Sequence, residues 1–488
     1  MSQVRANSIT NAAGTGAPDF PNGLTSGGTA VMPGTQTFTA TGALSTGQLV
    51  GLNADGTVSV VTQYVGADAV FESASTSMIA ATYDTLNNKL VVAYSDLGNS
   101  GYGTAAVGTI SGGTITFGTP VVFSTLVMFN DAISATFDSL NNRVVIAYCD
   151  NVATSRVIVG TVSGTSISFG TAVQVGNTNQ SYWVACTFDS ANGKVVVAYP
   201  IANATYRGIA QVGTVSGTSI SFGGGIIFEA ANANFSAMLA FDSANGKVVF
   251  CYPMNTGAIK ASVGTVSGTT ISFGTAITIS GLSIISGAYN SMVFDPSSGR
   301  CLVSDYSRVS VLTVSGTSIS ASAVLSISAA SGGGKLVVGN TTGKILVLGA
   351  TSWISGRVVG GLFVLDNAVP APLSTPVAPN YNGIFVPSTS ACFAFYIRSG
   401  DNFGLANVVF PDSLYTTWIG AAAATISNGS SGQIAVSGGI ISGLSGLTTG
   451  FLYTVSPQTA ALTATASSSS AIGRAISSTR LLITRGSL

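Results

Sequence analysis

The chain contains no histidine, and its 488 residues include only 17 basic and 17 acidic side chains. Charged residues make up 7% of the sequence, against about 25% in an ordinary soluble domain. The lack of histidine removes the commonest general base and the commonest metal ligand. Because the formal net charge is zero, no basic groove that follows the phosphates of a nucleic acid is expected.

Cysteine and long apolar runs are scarce as well. Five cysteines, an odd number, do not make a disulfide framework. The mean hydropathy is +0.52, yet no apolar run reaches the roughly 18 residues that a membrane span needs, and residues 1–7 lack the apolar stretch of a signal peptide. What the chain has instead is 60 glycines among many Ser, Thr and Val residues, a composition that favours an all-β protein.

A repeat organises the middle of the chain. The phrase Thr-Phe-Asp-Ser-Ala-Asn-Gly-Lys at 187–194 recurs with small changes, and its aromatic position falls at residues 83, 137, 188, 241 and 294. A second phrase, Val-Gly-Thr-Val-Ser-Gly-Thr-Ser-Ile-Ser-Phe-Gly at 159–170, follows at a fixed distance and returns at 212–223, 263–274 and, shortened, 311–320.

Each unit contains four short β-patterned runs. In the third unit these are 183–189, 194–199, 209–216 and a last run that begins at 219 and ends near 228. Asn-Gly or Asn-Asn joins the first two, where left-handed backbone angles are needed. Four strands per unit of about 50 residues predict a β-propeller. Weaker units at 335–347 and 383–398 bring the count to seven blades over 71–412, with six or eight as the alternatives.

The flanks lack this repeat. Residues 1–34 are rich in Gly and Pro and predict an extended N-terminal arm. Residues 35–70 contain two strands around an Asp-Gly turn at 55–56, and 413–488 contain further short strands. We expect 35–70 to pair with 413–488 in a small β-domain formed from both flanks. The alternative is that Thr57–Val61 supplies the outer strand of the last blade and closes the ring.

The flanks carry a resemblance. Residues 7–24 (Asn-Ser-Ile-Thr-Asn-Ala-Ala-Gly-Thr-Gly-Ala-Pro-Asp-Phe-Pro-Asn-Gly-Leu) resemble the N-terminal segment of tail fibres and related virion proteins of tailed bacteriophages. Residues 446–455 and 472–483 are similar to their terminal β-domains. The resemblance covers about a quarter of the chain. It implies a virion structural protein, made in the host cytoplasm, that is anchored to other virion proteins by its N-terminus and is often homotrimeric.

The sequence gives little support to an enzyme. In the repeated turn each Asp can accept backbone N–H bonds, and a base five residues later is expected to form a surface ion pair with it. Asp84, Asp138, Asp189, Asp242 and Asp295 occupy this position. The remaining acids show no motif for the carboxylate pair that glycoside hydrolysis needs; they include Glu72, Asp96, Asp131, Asp150, Glu229, Asp305, Asp366 and Asp401. The cysteines share no metal-ligand spacing and are predicted to be buried. No catalytic residue, metal or cofactor is expected.

Binding is better supported. In a four-stranded blade the first-to-second and third-to-fourth turns lie on one face of the disc, and these turns are nearly identical between units. The second-to-third and blade-to-blade connections lie on the other face and differ in every unit, so that face is where recognition is expected. Its aromatic and amide side chains suit a sugar ligand. The candidate ligand residues are Phe129, Asn130, Tyr182, Trp183, Tyr206, Asn234, Phe235 and Tyr289.

Three functions are therefore weighed. The first is a phage tail fibre or fibre-like protein whose propeller binds a host-surface glycan or protein. The second is a purely structural head-fibre, decoration or tail component that contacts other virion subunits. The third is a polysaccharide depolymerase.

Overall fold

The computed structural model divides into two compact units, Tyr64–Pro411 and a second unit that combines Met1–Gln63 with Asp412–Leu488. The structure describes residues 24–26, 29–31, 35–46, 49–52, 57–60, 68–111, 114–176, 183–201, 206–230, 233, 237–283, 291–305, 307–327, 335–338, 343–349, 353–369, 376–387, 391–409, 418–422, 425–436, 440–442, 444–445, 447–449, 452–455, 462–465 and 473–483. In these ranges the only helix is the 3-10 turn Leu97–Asn99, and no helix is long and apolar enough to cross a bilayer.

The unit Tyr64–Pro411 is a seven-bladed β-propeller of antiparallel sheets. We label the strands of a blade A to D from the innermost to the outermost. In blades 2 to 5 strand D is broken into two pieces that both pair with strand C. The strands of the first three blades are, in blade 1, Thr76–Asp84, Lys89–Asp96, Tyr102–Ser111 and Thr114–Phe117; in blade 2, the second half of Val121–Asp138, Arg143–Asp150, Ser155–Ser163, Ser166–Phe169 and Val173–Val175; and in blade 3, Ala185–Asp189, Lys194–Ile201, Arg207–Ser216, Ser219–Phe222 and Ile226–Glu229.

The later blades follow the same plan. Their strands are, in blade 4, Met238–Asp242, Lys247–Pro253, Ala258–Ser267, Thr270–Phe273 and Ile277–Ser283; in blade 5, Ser291–Asp295, Arg300–Ser304, Arg308–Ser315, Ser318–Ala321 and Leu325–Ser326; in blade 6, Lys335–Val338, Lys344–Leu348, Trp353–Val359 and Leu362–Val369; and in blade 7, Pro376–Val386, Ala391–Arg398, Gly404–Val409 and Ala69–Glu72. The first half of Val121–Asp138 pairs with strand C of blade 1 and completes its outer edge.

The blades form a closed ring. Each innermost strand contacts the innermost strand of the next blade, and strand A of blade 7 contacts strand A of blade 1. The outer strand of blade 7 is Ala69–Glu72, which pairs with Gly404–Val409 although more than 300 residues separate them in the chain. The prediction of about seven four-stranded blades is confirmed. The alternative that Thr57–Val61 closes the ring is wrong, because Val58–Val60 pairs with Leu49–Leu52 instead.

The hydrophobic core lies between the blades. Strands B and C are apolar on both faces because each is covered by the neighbouring blade on either side. In strand B of blade 3, Val195 and Val197 pack towards blade 2, while Val196 and Ala198 pack towards blade 4. Similar clusters fill the other interfaces, including the one where blades 7 and 1 meet.

The repeated aspartate closes the turn between strands A and B. Asp189 is fully buried, and its Oδ1 accepts the backbone N–H groups of Ala191 and Asn192, both at 3.0 Å. The Asn192 side-chain amide donates to Asp189 Oδ2 at 2.8 Å. The same three bonds recur at Asp84, Asp138 and Asp242. The predicted backbone bond is therefore confirmed, and the fourth residue of the turn is also a direct partner.

The base that follows each turn does not pair with this aspartate, so that prediction is wrong. Lys194 Nζ donates instead to Thr214 Oγ1 on strand C, at 2.8 Å. Arg143 Nε reaches the next blade and donates to the carbonyl of Gly217 at 2.8 Å. The aspartate oxygens are already occupied by donors of their own turn, and the ion pairs seen in the described residues all lie elsewhere.

A glycine at the break in strand D joins neighbouring blades. A Cβ atom added to Gly223 of blade 3 would lie 1.9 Å from the carbonyl oxygen of Thr269, in the strand C–D turn of blade 4. The same approach occurs between Gly170 and Thr218, at 2.0 Å. Only a residue without a side chain allows two backbones to come this close. The Ser-Gly-Thr phrase and the following glycine therefore form a contact that links one blade to the next.

The second unit contains strands from both ends of the chain. In one sheet Thr35–Thr39 pairs with Ser431–Ala435, and Leu49–Leu52 pairs with Trp418–Ala422. A second sheet is formed by Ile440–Ser442, Leu452–Val455, Leu462–Thr465, Gly473–Ser477 and Arg480–Ile483. Leu24–Ser26 and Thr29–Val31 form a short hairpin. Residues 1–23 of the predicted arm lie outside the described residues.

Candidate recognition face

The strand order gives the propeller two different faces. We call the face with the A–B and C–D turns the repeated face, and the face with the B–C and blade-to-blade connections the variable face. On the repeated face the C–D turns of blades 2 to 5 contain glycines with φ of +60° or +61°, at Gly164, Gly217, Gly268 and Gly316. On the variable face a left-handed residue also precedes strand C in blades 1, 2, 3, 4 and 7, at Gly101, Ala153, Tyr206, Gly257 and Asn402, but the residue type varies between blades.

Three predicted ligand residues are described, and all three belong to the variable face. Phe129 lies in the bulge of Val121–Asp138, between the residues that pair with Asp150 and Tyr148, and Trp183 precedes strand A of blade 3; both are half-buried. Tyr206 precedes strand C of the same blade and is 37% exposed. Only the backbone of Asn130 is described, and Tyr182, Asn234, Phe235 and Tyr289 lie outside the described residues. For all eight residues the role in ligand binding stays a prediction.

The backbone of Tyr206 makes a specific contact with the connection that leads to blade 4. Tyr206 has a φ of +47°, which is uncommon for a residue other than glycine. Its carbonyl accepts the N–H of Ala233 at 2.8 Å, and Ala233 in turn forms a bridge with Met254 in blade 4. The Tyr206 backbone is thus held by contacts that run from blade 3 to blade 4.

Ion pairs fix several connections of the variable face. Asp150, which is fully buried, pairs with Arg156 at 2.7 Å and accepts the N–H of Thr154 at 3.0 Å. Asp305 pairs with Arg308 at 2.8 Å, and Asp401 pairs with Arg398. These carboxylates are satisfied by partners within their own loops, so their role is structural.

Glutamates at the ends of outer strands connect neighbouring blades on this face. Glu229 of blade 3 pairs with Lys260 of blade 4 at 2.8 Å and accepts the Tyr252 hydroxyl at 3.4 Å. Glu72 of blade 7 accepts the Tyr94 hydroxyl of blade 1 at 3.0 Å. Burial, with the adjacent carboxylate as a second cause, raises the pKa of both tyrosines. Both phenols therefore stay protonated and act as donors.

Glu72 also interacts with a second carboxylate, Asp96. Burial and the charge of Glu72 raise the pKa of Asp96. Two acids of unequal pKa are what a glycosidase uses. Here, however, Asp96 Oδ1 accepts the N–H of Asn99 at 3.0 Å, while Glu72 Oε1 accepts that of Ala74 at 2.9 Å. The geometry suits a capped turn and an interblade contact, and of the acids considered from sequence these are the two whose charges interact.

No metal or thiol chemistry is assembled in the described residues. They contain no group of three His, Cys, Asp or Glu side chains that could hold a metal ion. All five cysteines are buried, as the sequence predicted, and none of them forms a disulfide bond within the described residues. Burial raises the pKa of Cys149 to about 12 and that of Cys186 to about 11, so these thiols are weak nucleophiles at neutral pH.

An exposed apolar patch lies on the variable face at blades 1 and 2. Leu97, Leu126, Val127 and Val152 are 50%, 41%, 39% and 45% exposed. Leu97 and Val127 flank Gly101, whose Cβ position would lie 3.9 Å and 3.2 Å from their methyl groups. Asn151 donates to the Val127 carbonyl at 2.8 Å, which places Val152 beside Val127. We call these four residues the apolar patch.

Sequence reasoning missed the apolar patch, and it did not single out Arg207, which follows Tyr206. The patch residues come from separate connections that carry no common phrase, so only the fold brings them together. For Arg207 a signal was present, because it is a base in a diversified loop next to an aromatic residue, but its surroundings depend on the neighbouring strands.

No protein-family model matches the chain, and no curated protein matches it. Among solved structures it is similar to the β-propeller domain of Cps50 (Swd1) from Myceliophteria thermophila, with 9% identity and a TM-score of 0.47 over 71% of this chain and 98% of that one. It is also similar to Sqt1 from Chaetomium thermophilum, with 13% identity and a TM-score of 0.42 over 68% and 82% of the two chains.

Proposed function

We propose that the chain is a bacteriophage virion structural protein, a tail fibre or fibre-like protein, whose variable face recognises a glycan on the host surface. The observation that carries this proposal is the division of one rigid ring into a repeated face and a variable face. Binding residues are found preferentially on variable loops held by a rigid scaffold. The ring supplies the scaffold through its buried turns and interblade contacts.

The chemistry of the variable face supports a sugar ligand. Phe129, Trp183 and Tyr206 offer apolar ring surfaces, and the phenol O–H of the exposed Tyr206 offers a directed hydrogen bond. Asp150, Asp305 and Asp401 are occupied within their own loops and Glu72 and Glu229 by the neighbouring blade, so the described part of the face presents mainly neutral groups. A glycan with exposed C–H faces and hydroxyl groups matches such a surface.

The place of the protein in the particle rests on the resemblance of its flanks to fibre proteins. On that basis the N-terminal segment docks on other virion proteins, the protein is a homotrimer, and it is made in the host cytoplasm before assembly. No nucleic acid or membrane insertion forms part of this proposal.

The full-length protein on a glycan array tests the recognition function. We expect binding to a restricted set of glycans and a loss of about ten-fold or more in affinity for Trp183→Ala. Leu86→Ala is the matched control, because Leu86 is a large side chain, 59% exposed, on the repeated face; its affinity is expected to be unchanged. Absence of binding to any glycan and to host envelopes would overturn the proposal.

The apolar patch favours a second function, a head-fibre, decoration or tail component whose variable face contacts another virion protein. Contiguous exposed apolar side chains are typical of protein–protein contacts. A cryo-EM map of the particle separates the two functions. Many copies with Leu97 and Val152 buried against a neighbouring subunit indicate the structural function, whereas a variable face turned outward into solvent indicates host recognition.

We do not propose a depolymerase, although Glu72 and Asp96 are the pair to test. Incubation of the protein with host polysaccharide is expected to give no new reducing ends and no unsaturated sugars. If such products appear and disappear in Glu72→Gln, the protein is an enzyme and the proposal is wrong on this point.

A further inference from the structure

Arg207 occupies an unusual position on the variable face. It is the first residue of strand C in blade 3 and directly follows Tyr206 at the end of the B–C connection. Its side chain is half-buried. The Nε atom is buried and has no hydrogen-bond partner among the residues that the structure describes.

The comparable bases are all neutralised. Among the described residues, five bases lie within three residues of a B–C connection, and four of them form ion pairs with carboxylates: Arg156, Lys260, Arg308 and Arg398. For Arg207 no such pair is found among the described residues. Glu229, whose neighbour across the sheet is Gly208, is already occupied by Lys260 at 2.8 Å.

An unpartnered guanidinium N–H in a buried position is unfavourable. Buried polar atoms nearly always have a hydrogen-bond partner, and a buried charge without one carries a desolvation cost. A guanidinium presents its N–H donors in a planar fork that fits the oxygens of a carboxylate, sulfate or phosphate. An oxyanion is the partner whose charge and geometry would complement this guanidinium.

The neighbouring residue supplies the second half of a sugar site. Tyr206 is exposed and held in a left-handed conformation by the Ala233 N–H bond at 2.8 Å. Next to Arg207, the Tyr206 ring can pack against the apolar face of a sugar ring while the guanidinium binds its charged group.

We propose that Tyr206 and Arg207 form a subsite for an anionic sugar, one that carries a carboxylate, sulfate or phosphate group. This inference rests on the proposed function and specifies its ligand class. The charged group binds Arg207 and the ring packs on Tyr206, so that neutral glycans bind the same face more weakly.

The test uses the full-length chain and three probes in calorimetry: an oligosaccharide that contains glucuronic acid, the same oligosaccharide with its carboxyl group reduced to an alcohol, and the reduced form carrying a sulfate. We expect at least one charged probe to bind about ten-fold or more tightly than the neutral one, and the better charged probe identifies the group. In Arg207→Gln this preference disappears. Arg308→Gln, a substitution of a paired arginine on the same face, keeps it.

Thermal stability separates a ligand role from a structural one. Arg207→Gln is expected to melt at or above the temperature of the parent protein, because it removes a buried donor without a partner. Arg308→Gln is expected to melt lower, because it leaves Asp305 unpaired. A lower melting temperature for Arg207→Gln together with unchanged binding of the charged probes would overturn the inference.

The result also distinguishes this inference from the proposed function. If the neutral probe binds as tightly as the charged ones, and if binding is lost in Trp183→Ala but kept in Arg207→Gln, glycan recognition stands and the anionic subsite is wrong. If none of the probes binds and the glycan array is also negative, the recognition function itself is wrong.

Discussion

Replacing Gly223 with alanine tests whether the repeated glycine holds one blade against the next. The added Cβ would lie 1.9 Å from the carbonyl oxygen of Thr269, whereas carbon and oxygen atoms in contact are about 3.3 Å or more apart. Either backbone must therefore move by about 1.4 Å. The Gly223 N–H donates to the Val212 carbonyl at 3.0 Å, and Thr269 lies in the tight turn between the paired residues Ser267 and Thr270, so the movement cannot be confined to a side chain.

The neighbouring residue provides a matched control. A Cβ on Gly224 would meet no atom within 4 Å. Both substitutions reduce the freedom of the unfolded chain by the same amount, about 0.4–1 kcal/mol in favour of folding. The difference between Gly223→Ala and Gly224→Ala is then the cost of the clash alone, about 1–3 kcal/mol.

Denaturant unfolding measures this difference. Gly224→Ala is expected to unfold at the midpoint of the parent protein or slightly above it, and Gly223→Ala at a lower one with an unchanged slope. Gly170→Ala should resemble Gly223→Ala, because its Cβ would lie 2.0 Å from Thr218 O. Equal midpoints for Gly223→Ala and Gly224→Ala would refute the reasoning.

Three further predictions concern buried polar groups. Asp189→Ala is expected to lower the free energy of unfolding by about 2–3 kcal/mol, because it leaves two backbone N–H groups and the Asn192 amide unsatisfied; exposed Ser190→Ala is the control in the same denaturant assay. Burial and the charge of Glu72 raise the pKa of Asp96 above 3.8 in the folded protein. The protonated Asp96 therefore stabilises the fold at acid pH, and this stabilisation is lost as the pH rises from 3.8 through the folded pKa. Asp96→Asn should flatten that part of a stability-versus-pH curve and raise the free energy of unfolding at pH 7 by less than about 1 kcal/mol. All five cysteines should resist a thiol reagent at pH 8 in the native protein and react after unfolding, because they are buried and the pKa of Cys186 is raised to about 11.

Each of these has a contrary result. An Asp189→Ala protein as stable as Ser190→Ala would mean that the turn does not need its carboxylate. A stability-versus-pH curve that is unchanged in Asp96→Asn would show that titration of Asp96 does not affect the free energy of unfolding. Labelling of native protein at the rate of a free thiol would show that the blades open far more readily than their packing implies.

The repeat made the blades predictable because the same local physics operates in each unit. Asp189 and Asn192 lie three residues apart, and the bonds between them form within one turn, so the phrase alone predicts the turn. The ring-closing strand was not predictable in the same way. Ala69–Glu72 carries neither repeated phrase. It pairs with Gly404–Val409, so its position depends on the strand edge that blade 7 leaves unpaired rather than on a pattern in its own residues.

The variable face was predictable in outline only. Strand order placed Phe129, Trp183 and Tyr206 on one face, and that follows from counting turns. The partners of charged side chains depend on which strands become neighbours. Lys194 was expected to pair with Asp189 but donates to Thr214, since the aspartate is satisfied within its own turn and strand C offers a hydroxyl at 2.8 Å.

The strand Ala69–Glu72 has a consequence for the order of events during synthesis. It leaves the ribosome before any of the seven blades, yet its partner Gly404–Val409 is among the last propeller residues to be made. The early blades can assemble one after another as they emerge. The ring, however, stays open at one place, the seam between Ala69–Glu72 and the rest of blade 7, until the seventh blade is complete. A chain truncated before residue 404 would keep that seam open, with two bare strand edges available to other chains.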